Sequence, residues 1–157
     1  MPSRRDLIRM TDAEVHAFLR EQKTVTIVSN GPEGFPHPMP MWFVHDADGT
    51  VRMTTFRKSQ KVMNVKRDPR VTLMVEDGEE YPELRGVVIY GRCELVDDLE
   101  AVKQTLIDVT TRAAAPDAAG RAAMGKAVEG TAAKRVLLRI RPVKIVSWDH
   151  RKLGGRY

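Results

Sequence analysis

The sequence predicts a mainly β fold, an antiparallel β-barrel with flanking helices. Two observations predict it. About six short β-rich segments follow one another with turn sequences between most of them, whereas a parallel sheet would need a helical crossover between successive strands. The chain has 157 residues, 42% hydrophobic and 30% charged, which suits one globular domain over residues 1–157 and leaves enough apolar side chains for a core. No internal repeat interrupts this pattern.

The elements follow in order. Thr11, with Glu14 three residues on, forms a capping box ahead of Val15, Phe18 and Leu19 on one helical face, so a short helix runs to about Gln22, with His16 on its exposed side. Lys23 to Ser29, with Val25, Ile27 and Val28, is a strand, and Asn30 to Gly34 is a turn. Phe35 to His45 carries prolines at 36, 38 and 40 before Met41, Trp42, Phe43 and Val44. Proline lacks the N–H of a ladder, so this is an edge or bulged strand that borders something other than another strand. Asp46 to Gly49 turns the chain into a strand from Thr50 to Phe56.

Ser59 caps a short helix through Val62, Met63 and Val65, which stops before Asp68 and Pro69. Arg70 to Glu76 is a strand, Asp77 to Glu80 a turn, and Val87 to Val96 an alternating strand with Ile89, Cys93 and Leu95 on one face. Asp97 or Asp98 caps a helix to about Arg112, with Leu99, Val102, Leu106 and Val109 as its apolar stripe. Ala113 to Lys134 lacks clear periodicity and is expected as a loop with a short helix. Val136 to Trp148 is a last strand, broken at Pro142, and a polar tail follows.

Composition narrows the chemistry. No run approaches the ~18 to 20 apolar residues that span a bilayer, and Met1 to Met10 has no apolar leader core, so a cytoplasmic protein without membrane partners is expected. The single Cys93 excludes an internal disulfide and a cysteine metal cage, and on its strand it reads as a small buried apolar residue. His16, His37, His45 and His150 are scattered without metal-ligand spacing, and no metal site is expected; His37 and His45 read as structural, with substrate contact as the alternative. Gly120 to Ala127 nearly matches a phosphate-binding P-loop, yet Ala127 stands where a magnesium-binding Ser or Thr is required. No Gly-x-Ser-x-Gly context supports nucleophilic hydrolysis.

The formal charge of +5 is concentrated in one segment. From Thr54 to Arg70, six basic residues (Arg57, Lys58, Lys61, Lys66, Arg67 and Arg70) stand against one acid, Asp68, at the junction of a strand and a helix. Free helical N–H groups with adjacent Arg and Lys side chains make a phosphate site; a solvated basic helix face would use the same residues. Only Phe56 among the aromatics lies nearby, which disfavours single-stranded nucleic acid as a partner.

The order of these segments resembles the pyridoxamine-phosphate-oxidase-like split β-barrel family, an FMN-binding-like fold of antiparallel strands. The resemblance rests on the proline-rich strand ending Met41-Trp42-Phe43, on Thr54-Thr55, on Arg57-Lys58-Ser59-Gln60-Lys61-Val62-Met63-Asn64, and on Arg67-Asp68-Pro69-Arg70-Val71. Ser147-Trp148-Asp149-His150-Arg151-Lys152-Leu153 is similar to the C-terminal strand of the flavin- and deazaflavin-dependent oxidoreductases of actinobacteria. The resemblance implies a homodimer with a cofactor at the subunit interface: coenzyme F420, a deazaflavin, or alternatively FMN. Its ring would lie against Pro40, Met41 and Trp42, and its phosphate on Arg57 and Lys61 with Ser59 and Gln60 beside it. Thr54 and Thr55 would meet the ribityl chain or ring edge, Lys58 and Lys66 would suit a polyglutamate tail, and Trp148 and Lys152 would come from the partner subunit. The implied activity is hydride transfer between the reduced cofactor and an unsaturated small molecule. The alternative is a non-catalytic carrier of a cofactor or haem. The chain ends Gly154-Gly155-Arg156-Tyr157, without the Arg-Leu-Ala-Pro-like terminus of true pyridoxamine phosphate oxidases, so that reaction is not expected. A ring-contacting glutamine of those oxidases also has no counterpart near Arg85 or Gly86.

Overall fold

The computed structural model describes residues 3–112 and 114–155. Two N-terminal helices, α1 (Arg4–Ile8) and α2 (Asp12–Glu21), both begin with capping boxes, Ser3 with Asp6 and Thr11 with Glu14. Then come β1 (Thr24–Asn30), β2 (Pro36–Trp42), β3 (Val44–His45), β4 (Val51–Phe56), α3 (Gln60–Arg67), β5 (Arg70–Asp77) and β6 (Arg85–Val96). Helices α4 (Leu99–Thr111) and α5 (Ala118–Ala132) precede the final strand β7 (Arg135–Asp149) and a 3-10 turn, His150–Leu153.

The seven strands form one sheet in the order β2-β1-β5-β6-β7-β4-β3, and every neighbouring pair is antiparallel. Trp42 and Val44 therefore occupy opposite edges of the sheet although one residue separates them. The sheet must curl until its edges meet at Phe43, which is fully buried. The inward positions alternate as a half-buried sheet requires: Val25 and Ile27, Val71, Leu73 and Val75, Val87 and Ile89, with Met53, Leu138 and Ile140. Helix α2 adds Val15, Phe18 and Leu19 to the same core.

The structure departs from the sequence expectation in four places. The stretch expected as a loop with a short helix holds the fifteen-residue α5, capped by Asp117 accepting from Gly120 N at 2.8 Å. Alanine's high helix propensity forms it, and its apolar period is faint because only Gly125 and Ala132 are buried. Strand β7 runs unbroken through Pro142, because a register shift beside Gly91 places the missing N–H at an irregularity of the ladder. Helix α1 was not legible at its length of five residues. The tail is partly ordered, since Asp149 accepts from Arg151 N at 3.0 Å and starts the 3-10 turn.

Gly86 pairs with Trp148 across β6 and β7, and a Cβ there would lie 2.3 Å from the indole Cζ2. Gly86→Ala is expected to displace the ring and lower stability by roughly 1–3 kcal/mol. Tryptophan fluorescence with thermal melting checks this; an unshifted spectrum with unchanged Tm would refute it.

Candidate functional site

The split in the barrel is written into β2. Pro36, Pro38 and Pro40 stand opposite Asn30, Val28 and Thr26 of β1. Without an N–H they fit only where the amide position faces away from β1, and an antiparallel residue directs its N–H and C=O to the same side. The free edge of β2 thus presents carbonyl acceptors at these three positions and no donors from them. On the other sheet edge, β3 and β4 pair Val44 with Arg52 and His45 with Val51. Continuing that register past Phe43 would set Trp42 against Thr54 and Pro40 against Phe56. Instead β2 turns to β1, and a cleft opens between the β2 edge and the end of β4. Pro40, Met41 and Trp42 lie on one lip, and Thr54 and Thr55 on the other.

On the first lip Met41 is half-buried against the core, while Trp42 is 52% exposed with Lys23 Nζ 3.9 Å above its ring. On the second, Thr54 and Thr55 are buried. Strand β4 ends at Phe56, Ser59 N bonds to Phe56 O at 3.0 Å, and α3 starts at once, so the turn brings Lys61 back under the strand. Lys61 is only 6% exposed and donates to Thr55 Oγ1 at 3.0 Å, which also lies 3.3 Å from Ser59 Oγ. Ser59 occupies the cap position of α3 without a side-chain cap bond, so its hydroxyl stays with Thr55.

Lys61 has no carboxylate partner among the described residues. Burial, and then the Arg135 guanidinium, push its pKa down from the ordinary lysine value. Arg135 opens β7 opposite Phe56, lies over that ring at 4.3 Å and reaches Thr54 O and Oγ1 at 3.4 Å. Its Nε is buried without a partner, it too lacks a carboxylate, and burial depresses its pKa. Two cations, Lys61 buried and Arg135 half-buried, thus share one corner with no counter-charge among the described residues, an arrangement that a bound anion would relieve.

The rest of the basic turn is arranged differently. Arg57 pairs with Asp97, which raises its pKa, and also donates to Arg135 O at 3.2 Å. Lys58 is exposed, and Gln60 donates to Asn64 Oδ1 at 2.8 Å. Asn64 is fully buried and donates to Ser29 Oγ at 3.0 Å, fastening α3 to β1. The sequence does not single out Arg135, because only the register of β7 on β4 places it and no local motif carries that register. Asp97 reads there as a candidate helix cap, but Asp98 takes the cap of α4 and leaves Asp97 to Arg57, and Asn64, the last residue of the basic-turn motif, serves as the fastening to β1.

Trp148 and Lys152 stand apart from this corner. Val136 pairs with Thr55 and Trp148 lies twelve residues further along β7, roughly 40 Å at strand rise. Trp148 covers Gly86, and Lys152 donates to Arg9 O at 2.8 Å and to Glu14 at 2.6 Å. Within one chain both side chains are thus engaged away from the Thr54 and Thr55 lip.

The histidines correct one expectation. His16 is half-buried rather than exposed, because its Nδ1 lies 2.7 Å from Nε2 of the buried His45. Cys93 is buried, with its thiol pKa pushed up to about 12 by burial, which leaves it inert as a nucleophile. Among the described residues, no group of three or more His, Cys, Asp or Glu side chains could hold a metal, and no helix is long and apolar enough to cross a membrane.

The family model described as pyridoxamine 5'-phosphate oxidase matches residues 11–149. The chain belongs to this family. Among solved structures it is similar to a conserved hypothetical protein from Mycobacterium tuberculosis, with 36% identity over 99% of this chain and 95% of that one, at a TM-score of 0.86. It is also similar to an F420 reductase, at 24% identity over 83% of this chain and 94% of that one, TM-score 0.63. The haem storage protein HutZ from Vibrio cholerae aligns at 18% identity over 87% and 94% of the two chains, also at 0.63. Among curated proteins none matches significantly. The last two likenesses, at under 25% identity, bear on the fold alone.

Proposed function

We propose that the chain is a homodimeric oxidoreductase that binds coenzyme F420, with FMN as the alternative cofactor, in the cleft between β2 and β4. The observation that carries this reading is the buried Lys61 beside Arg135 with no carboxylate to neutralise either. Burying one uncompensated cation beside a half-buried second costs stability, and a cofactor phosphate accepting from Lys61, Arg135 and the Thr55 hydroxyl would offset that cost. The cleft residues fit the rest of the group. The donor-free edge of β2 would meet a flat ring without competing for a ladder bond, and its proline carbonyls would serve as acceptors for a ring N–H. When bound, the reduced cofactor supplies a hydride to an unsaturated small molecule.

The chain's own part is position and electrostatics. Lys61 and Arg135 hold the phosphate, Thr54 and Thr55 orient the chain beyond it, and Met41 and Trp42 wall the ring from water. Arg57, paired with Asp97 in the free chain, would add a charge-assisted bond at the exposed side if it exchanged that partner for the phosphate. A second copy is part of this reading for two reasons. Trp148 and Lys152, engaged away from the Lys61 corner in their own chain, would meet the cleft of a partner subunit. The outer sheet face also leaves Tyr90, Met74 and Val143 exposed as a surface for that partner.

The test is a fluorescence titration of the protein with coenzyme F420 and with FMN at one salt concentration. Tighter F420 binding supports the deazaflavin reading, and tighter FMN binding moves the protein to the flavin alternative. Arg57→Ala with Lys61→Ala is expected to abolish either while the far-UV spectrum is kept; unchanged affinity in that variant, or binding of neither cofactor, would overturn the assignment.

A further inference from the structure

At the opposite end of β4 from Thr55, where Val51 pairs with His45, a cavity of about 350 Å³ lies among α2, β3 and α4. Arg20, His45, Asp108, Arg112 and Arg121 form most of its wall. The charges around it do not cancel. Asp108 is held by Arg52 at 3.0 Å and by Arg121 at 2.7 Å, and Asp46 by Arg52 at 2.6 Å. Arg20 and Arg112 remain with no carboxylate partner among the described residues. Arg112 is fixed by donation to the carbonyls of Gln22 and Phe43 and lies over the Phe43 ring, and a guanidinium has five donors, more than these bonds use.

His45 supplies a second, independent observation. It is 8% exposed, its Nε2 is engaged with His16 Nδ1, and its buried Nδ1 has no partner. A buried polar atom left without a partner beside a polar cavity marks a place where a ligand or water completes the structure. Among the described residues only cations are uncompensated here, so the wall selects against a metal ion. Its density of charged groups selects against a neutral apolar ligand. The volume exceeds that of one small ion, given a share of about 30 Å³ per water molecule.

We propose that this cavity is a second anion site, separate from the cleft, that takes the oxyanion group of a small metabolite, held by Arg20, Arg112 and Arg121 against the His16–His45 pair. The carboxylate of an organic acid and a phosphate monoester share the chemistry that these guanidinium groups recognise. The inference does not depend on which cofactor occupies the cleft, since no residue is common to the two sites.

The test follows the imidazole and guanidinium resonances of the full chain by NMR during titration with inorganic phosphate and, separately, acetate, at constant ionic strength and pH 7. Saturable shifts at His45 and Arg20 are expected. Arg20→Gln should weaken them at least tenfold and Arg20→Glu should abolish them, and Arg20 is exposed, so neither variant threatens the fold. Lys61→Gln, which disables only the cleft, should leave the curves unchanged. A stronger response to phosphate assigns a phosphate ester as the ligand class, and a stronger response to acetate assigns a carboxylate. Absence of saturable shifts at His45 with both probes, or their loss in Lys61→Gln, would overturn the proposal.

Discussion

Lys61→Met should make the ligand-free protein more stable and the cofactor complex weaker. The methionine keeps the length of the stem, removes the charge of a residue that is 6% exposed beside Arg135, and leaves Thr55 Oγ1 its bond to Ser59. Replacing an uncompensated buried ion by an apolar side chain of similar size stabilises by about 1 kcal/mol or more. Loss of a charge-assisted bond to phosphate costs about 1.5–3 kcal/mol, which is roughly 10- to 100-fold in affinity. Chemical denaturation of the free protein and fluorescence titration with coenzyme F420 or FMN read the two effects separately. Opposite signs are the mark of a residue kept for binding at the expense of stability. A destabilised variant with unchanged cofactor affinity would make Lys61 a structural strut for Thr55 and would remove the main support for the cleft as a phosphate site.

The second large effect concerns acid. Burial, with the nearby His16 and Arg20 charges next, lowers the His45 pKa from 6.5 to about 4, and Asp46 and Asp48 only partly oppose this. The folded value lies below the unfolded one, so the unfolded chain binds more protons between about pH 4 and 6.5. Stability contributed by neutral His45 is therefore fully present above about pH 6.5 and is lost as pH falls toward about 4. The full loss is about 3 kcal/mol at 1.36 kcal/mol per pKa unit. His45→Gln keeps a side chain able to bond His16 but cannot be protonated. The difference in unfolding free energy between wild type and this variant should change by that amount from pH 7 to pH 4, with the variant relatively favoured in acid. Parallel curves would show that His45 titrates normally and that its burial is relieved in solution.

Much of the cleft was legible in the chain because its determinants are local. Three alternate prolines remove donors from one side of a strand wherever that strand lies, so an unpaired edge at Pro36 to Pro40 follows from covalent structure. The capping box at Thr11, the hairpin turn at Asp46 to Gly49 and the alternation of Val87, Ile89 and Cys93 are likewise settled within a few residues. The strand-to-helix turn at Phe56 to Lys61 is equally local, and so the clustering of its cations could be read directly.

Other features depended on segments far apart in sequence. Arg135 reaches Thr54 only because β7 pairs with β4 in a particular register, and nothing around Arg135 indicates that register. Asp97 meets Arg57, His45 meets His16, and Trp148 covers Gly86 for the same kind of reason. Pro142 stays inside a strand because β7 bulges at Val143, between the pairs Gly91 with Pro142 and Tyr90 with Lys144, and that irregularity shows only once β7 is laid against β6. Helix α5 hides its packing behind small residues, which bury little side chain and leave a faint hydrophobic period.

The sequence by itself determined an antiparallel, mainly β fold, its edge strand and its basic strand-to-helix turn, because turn chemistry, alternation and proline's missing N–H act over a few residues. Only the tertiary structure decided that Lys61 and Arg135 share one buried corner without a counter-ion, and that Arg20, Arg112 and His45 wall a second cavity. Burial and charge balance are sums over neighbours brought together by strand register, and no local stretch of chain contains those neighbours.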